Sequence, residues 1–412
     1  MEVLRLLQTQ QTQLDTLRSL MDQMKDEHEA LRDCLAACGA VPAQRLLARL
    51  HRRRFAAAMR RHPCSSHESL ETIAQSKELM LTIAARAGLA GTAALGSASR
   101  ALRVGVAGSA AEIVTLFPVT LYAVGGEANG TALASVERFD AALNLWTADV
   151  PLAVPRSGCA AVAMGEHIYA IGGCSAGGED LNSVERFDRH QKTWESLPTM
   201  HAGRDELAAA ATDGRVFAIG GSCLVWPVRH VIDAVECFNP TFHSWELLPS
   251  LTRERCAAAS VSVGRTIYVF GGCDEDGAAL DSAEQFTYGT SEWLPLPAMP
   301  RPRCNFAAAS VGGCIYVAGG YDDRMRDLDA VERYDPTLSA WEKVSELAMP
   351  RWGARAVARA GAVFVVGGQA RDEEVGAADQ LDPNSGTWAR LAPLQNARRS
   401  FGLAACYAHY AR

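Results

Sequence analysis

Six arginines recur along the chain at steps of 48, 51, 48, 48 and 47 residues: Arg156, Arg204, Arg255, Arg303, Arg351 and Arg398. A guanidinium is planar and permanently charged, and its fork of donors meets a carboxylate through two parallel hydrogen bonds. Six of them around one opening would hold an acidic segment of a partner protein. An acid recurs with the same rhythm, at Glu137, Glu185, Glu236, Glu284, Glu332 and Asp379. The two sets therefore permit another arrangement, in which each arginine pairs inside the protein, because a buried charge without a partner is too costly to keep. The ligand groups then fall to arginines outside the repeat: Arg253, Arg301, Arg355 and Arg399.

Other residues with chemical potential are fewer. Trp226 and Arg229 lie in the longest of the loops that follow a glycine pair, a setting that suits an interface anchor or a local plug. Tyr321 follows another glycine pair and is a further rim candidate. Cys256 and Cys304 each directly follow a recurring arginine, where positive charge favours the thiolate. Redox sensing and small-residue packing are the two readings of that placement. The histidines His167, His190, His201, His230, His243 and His409 share no repeat position and have no ligand spacing. No catalytic constellation, metal site or cofactor site is expected. Twelve cysteines with no Cys-x-x-Cys pair point to reduced thiols rather than a disulfide framework.

The elements that carry these groups follow from four markers in fixed order. A glycine pair stands at Gly125-Gly126, Gly172-Gly173, Gly220-Gly221, Gly271-Gly272, Gly319-Gly320 and Gly367-Gly368. An aromatic precedes each pair by three residues, from Tyr122 to Phe364, and the recurring acid follows it. A tryptophan closes each unit: Trp146, Trp194, Trp245, Trp293, Trp341 and Trp388. A period near 48 excludes the shorter helical and leucine-rich arrays, and no Trp-Asp dipeptide occurs. Gly-Gly, then Val-Glu-Arg-Phe-Asp, then Trp, then Met-Pro-x-x-Arg resembles the kelch repeat, over residues 119–412. The resemblance implies an all-β, six-bladed propeller in which proteins bind, and in ubiquitin-ligase adaptors it implies arginines near these positions holding acidic degrons.

Each repeat reads as four strands. The first is small and Ala-rich (Cys159 to Met164, Leu207 to Thr212, Ala257 to Val263, Phe306 to Val311), as suits a crowded axis. The second is β-branched and aromatic and stops at the glycines, the third alternates with period two, and the fourth carries the tryptophan. The array begins at a second strand, Thr120 to Val124, and finishes with a lone first strand within Arg398 to Tyr410. Together they complete one blade and remove open sheet edges. A degenerate strand from Val104 to Val114 competes for that place.

Ahead of the propeller, residues 1–38 predict a coiled coil, because Val3, Leu7, Gln10, Leu14, Leu17, Met21, Met24, His28, Leu31 and Leu35 keep one seam. A homo-oligomer is the expectation. Residues 39–63 predict a basic helix, and 64–118 an Ala/Gly-rich linker with partial helix. No BTB or BACK pattern precedes the repeats.

Residues 1–103 hold 15 Lys and Arg against 10 Asp and Glu, leaving 25 against 37 for the rest. An acidic propeller speaks against a broad nucleic-acid surface. No charge-free apolar run of membrane-spanning length and no signal peptide is present, so a cytoplasmic, or nuclear, protein with no membrane contact is expected. The functional expectation is a protein-interaction module whose arginine-lined face takes an acidic peptide. A ubiquitin-ligase substrate adaptor and a cytoskeletal, actin-associated scaffold are the alternatives, and a kelch-fold enzyme is the remotest.

Overall fold

Alternating small and β-branched runs punctuated by glycine pairs fold into six four-stranded antiparallel sheets, five of them built from strands that follow one another along the chain. The computed structural model describes residues 119–407 apart from 142, 226 and 227. The expected coiled coil, basic helix and linker, the Val104 to Val114 strand and Trp226 lie outside the described residues. Within them all regular structure is strand.

The first blade joins both ends of the propeller. Its inner strand, Gly402–Tyr407, pairs antiparallel with Val119–Val124, which is followed outward by Val136–Asp140 and Leu145–Asp149. The second blade runs Ala160–Met164, His167–Ile171, Val184–Asp188 and Thr193–Leu197 from axis to rim, and the third Ala208–Thr212, Arg215–Ile219, Val235–Asn239 and Ser244–Leu248. The fourth (Ala259–Val263 to Leu294–Leu296), fifth (Ala307–Val311 to Ala340–Glu346) and sixth (Arg355–Arg359 to Thr387–Leu391) repeat the order.

Second strands are apolar on both sides because each sheet is sandwiched between two others. Ile168, Tyr169, Ala170 and Ile171 are all buried, Tyr169 and Ile171 packing with Val216, Phe238 and Trp245 of the next blade. The same logic closes the ring, where Leu121, Phe139 and Trp146 pack on Phe364, Val366 and Leu394 of the sixth blade. The indole nitrogen of each of the six recurring tryptophans reaches for an oxygen of the preceding blade: Trp146 Nε1 donates to the Ala392 carbonyl at 2.9 Å, Trp194 Nε1 to Val150 and Trp293 Nε1 to Pro249. The tryptophans thus bury area between blades and satisfy their one donor there.

The inner strands surround an axial cavity of about 250 Å³ lined by Ala161, Ala210, Ser260, Ala309, Val357 and Ala404 among others. Small residues are required where six sheets converge. These strands begin one or two residues later than the sequence suggests, because the preceding positions are used differently. Gly158, Glu206, Ala257, Asn305, Gly353 and Ser400 all take positive φ, between 47° and 64°. Each amide donates to the carbonyl of its counterpart one blade earlier: Glu206 to Gly158, Ala257 to Glu206, Asn305 to Ala257, Gly353 to Asn305, Ser400 to Gly353, and Gly158 to Ser400, at 2.7 to 3.0 Å. Six hydrogen bonds close a circle around one mouth of the channel.

The glycine pairs are what allow neighbouring blades to touch here. At Gly320, with φ of 88°, a Cβ would stand 2.7 Å from the Cys304 carbonyl oxygen and 2.7 Å from Phe306 Cβ. Gly320→Ala is therefore expected to cost at least about 1–3 kcal/mol in backbone strain alone. A thermal melt of the variant should show a clear fall, and an unchanged midpoint would contradict the close approach.

Candidate functional site

The face where the channel is circled is built in three layers, from a constant base to a variable rim. The base consists of the six recurring arginines, all at 0–1% exposure, each paired with the acid on the third strand of the blade it enters. Arg156 Nη2 meets Glu185 Oε1 at 2.7 Å, Arg255 meets Glu284 at 2.7 Å, Arg303 meets Glu332 at 2.6 Å and Arg351 meets Asp379 at 2.8 Å. Arg204 pairs with Glu236 in the same way. Arg398 closes the set on Glu137 at 2.6 Å, across 261 residues of sequence.

Each pair joins two blades. Arg156 Nη1 donates to the Gly172 carbonyl of its own blade, while its backbone carbonyl accepts from Gly126 of the preceding one. The acids also accept from loop amides, as Glu185 does from Ala153 and Glu137 from Gln395 and Asn396. Burial pushes the Arg303 guanidinium down and Glu332 draws it back up. The expectation that these six arginines touch a partner is corrected accordingly: they are sealed beneath the face, and their charges are spent within the fold.

Above the base lies a layer that differs in every blade. The residue after each recurring arginine forms an antiparallel bridge with the residue after a glycine pair: Ser157 with Cys174, Asp205 with Ser222, Cys256 with Cys273, Cys304 with Tyr321, Trp352 with Gln369, and Arg399 with Glu127. This layer went unseen in the sequence because it is a pairing of two positions. A constant separation of 17 residues in five of the six pairs was the available signal. At the channel mouth, burial and the neighbouring Asp205 carboxylate push Glu206 up, while Asn305 and Arg355 act against them.

The remaining candidates divide. Arg253 is half exposed and bound to Asp274 at 2.8 Å. Arg229 spans Asp180, at 3.0 Å, and Asp205. It thereby folds the third-blade hairpin, Ser222–Val225 with Val228–Val231, against the second blade. Cys174, Asp180 and Asp205 bring ligand atoms within 4.8 Å of one another, but Arg229 already neutralises both carboxylates. Tyr321 turns inward, edge-on to Trp352 at 5.8 Å, with its hydroxyl 3.8 Å from Cys273 Sγ. Arg355 starts an inner strand, half-buried, and donates to the Ala354 carbonyl; burial pushes its guanidinium down. Arg301 is exposed with no carboxylate at ion-pair distance among the described residues.

The rim is made by the segments between glycine pair and third strand. Residues 127–135, 174–183, 222–234, 273–282, 321–329 and 369–377 contain fifteen carboxylates against four arginines, and eleven of the fifteen belong to the fourth to sixth blades. Two of the four arginines, Arg229 and Arg326, are themselves paired with acids of this face. Between the strands of the opposite face stand Glu166, Asp213 and Glu292 with Arg189, Lys192 and Arg265, and Asp140, Asp188, Asp335 and Asp382 accept from the amides of the turns there. The acidic hairpins stand beside exposed Leu224, Val225 and Val228 on the third-blade hairpin.

Comparison with known proteins bears on the repeats rather than the rim. Residues 249–410 match the KLHDC2/KLHL20/DRC7 Kelch-repeats domain, and residues 155–201 and 203–252 match the Kelch motif. The solved structure of YjhT is similar with a TM-score of 0.56 at 14% identity, covering 65% of this chain and 96% of that one. That likeness concerns the fold alone.

Proposed function

Because the chain belongs to the kelch-repeat family, we propose that it acts as a protein-binding module whose hairpin face takes a basic segment of its partner. The observation that carries this reading is the excess of fifteen carboxylates over four arginines on the hairpins of one face. Charges of one sign clustered on a surface steer an oppositely charged segment and repel like ones. The acidic segment expected from the recurring arginines loses its six principal ligands, because those groups are buried in pairs. Leu224, Val225 and Val228 supply apolar contact at the edge of the charged zone, as a binding site needs beyond electrostatics. Recognising substrates for a ubiquitin ligase and scaffolding actin are both special cases of this activity, and no residue on the face favours one over the other.

Short synthetic peptides of graded net charge, offered to the full chain, test the reading. Basic peptides should bind, and binding should weaken as salt is raised, since exposed charges are screened over about 10 Å at moderate ionic strength. A variant with Glu275→Lys, Asp276→Lys, Asp323→Lys and Glu373→Lys, all at exposed positions, should lose roughly tenfold or more in affinity while melting as the parent does. Basic peptides indifferent to these changes, or acidic peptides retained through Arg301 and its neighbours, would overturn it.

A further inference from the structure

On the floor of the face, two adjacent bridge pairs bring three thiols and a phenol together: Cys256 opposite Cys273, and Cys304 opposite Tyr321. Cys256 is 8%, Cys273 6% and Cys304 0% exposed. Cys273 is the hub. Its sulfur lies 3.8 Å from the Tyr321 hydroxyl, in one buried cluster with Cys256 and Cys304, while Cys304 Sγ donates to the Tyr321 carbonyl at 3.9 Å. Cys256 and Cys273 exchange both backbone hydrogen bonds, at 3.0 and 2.8 Å, so they stand directly opposite each other. Residues so paired have Cα atoms about 5.5 Å apart, inside the span a disulfide bridges. None of the other five bridge pairs offers two thiols.

We propose that Cys273 and Cys256 form a dithiol oxidised by hydroperoxides, with Cys273 the attacking sulfur and Cys256 the resolving one. The neighbouring Cys256 and Cys304 thiols, with the Tyr321 hydroxyl, hold the Cys273 thiol below its ordinary range against the effect of burial, whereas Cys273 and burial push Cys256 and Cys304 up. Burial likewise pushes Cys174, Cys223 and Cys314 up, so among the described residues the thiolate character is concentrated at one site. Burial also raises the Tyr321 hydroxyl, which keeps its proton and serves as a donor to the sulfur.

In the first step the Cys273 thiolate attacks one peroxide oxygen and the O–O bond breaks. With hydrogen peroxide, the departing hydroxide takes up a proton and leaves as water, and Cys273 becomes a sulfenic acid. The Cys256 sulfur then attacks that sulfur, its thiol proton leaves with the displaced hydroxide as a second water, and the disulfide forms. Two thiols are oxidised by two electrons, and the peroxide is reduced by the same two. The crosslink ties the strap entering the fourth blade to the root of the hairpin that bears Asp274, Glu275 and Asp276.

The test is a peptide map of the full chain after treatment with hydrogen peroxide, alkylation of remaining thiols and tryptic digestion without reduction. Peptide 256–265 should appear joined to peptide 266–303; each holds a single cysteine. In Cys256→Ser, a diketone reagent should trap the sulfenic acid at Cys273. Tyr321→Phe should slow oxidation of Cys273 by about tenfold, the worth of one hydrogen bond to a charged group. The wild-type map decides even where a variant folds poorly. Oxidation that falls on Cys174, Cys223 or Cys314 while Cys256 and Cys273 remain alkylated, or a Cys273–Cys304 crosslink in place of the proposed one, would overturn the proposal.

Discussion

Ending the chain at Gln395 is expected to abolish cooperative unfolding of the propeller. The truncation removes the inner strand Gly402–Tyr407 and with it the whole register against Val119–Val124. It removes Arg398, which holds Glu137 at 2.6 Å and the Gly125 and Ser135 carbonyls at 2.9 and 3.0 Å. It also opens the circle of backbone hydrogen bonds at Ser400 and empties the place of Phe401, which is fully buried between the first and sixth blades. Leaving Glu137 buried without its partner costs about 3–5 kcal/mol. Each large apolar side chain withdrawn costs about 1.5–3 kcal/mol more. Against a typical total of roughly 5–15 kcal/mol, that is decisive. A thermal melt followed by circular dichroism checks it, and adding a peptide of residues 396–412 should restore the transition. A truncated chain that melts as the parent does would show that closure lies elsewhere.

The second large effect concerns one clamp in isolation. Arg303→Met should lower stability to urea by about 3–5 kcal/mol, because Glu332 is left charged in a buried site. The Gly319 and Ala330 carbonyls also lose the donor they share. Glu332→Gln should cost a similar amount for the converse reason. Arg303→Met with Glu332→Leu should recover part of the loss, since a matched apolar pair leaves no charge stranded. A non-additive cycle is the signature of a structural pair. A single variant within about 1 kcal/mol of the parent would return Arg303 to the list of groups free to meet a ligand.

Much of this architecture was legible in the sequence, because a propeller repeats its physics. The glycine pairs mark positive φ and close backbone approach, the tryptophans mark the contact between blades, and a first repeat lacking its inner strand marks where the chain must close. The strand starts were displaced, since four of the six residues in the circle of hydrogen bonds, Glu206, Ala257, Asn305 and Ser400, are non-glycine residues whose left-handed conformation has no composition signal. The site was harder. The recurring arginines and acids were visible as two sets, yet their spacing fits capture of a partner and internal pairing equally well, and burial alone separates the two. Arg229 was visible as a loop arginine, but its carboxylates, Asp180 and Asp205, belong to residues brought near by packing. The cysteine hub was half seen: Cys256 and Cys304 stood out as equivalent positions, whereas Cys273 comes between them only when two bridges lie side by side.

On the proposed reading, the hairpin face binds a basic segment while the arginines beneath it hold the blades together. Amide hydrogen exchange of the full chain, with and without a saturating basic peptide, tests this most directly. Protection is predicted in the hairpins at 273–282, 321–329 and 369–377, which carry eleven carboxylates, with the turns of the opposite face unchanged. Protection confined to those opposite turns or to the outer strands would contradict the account.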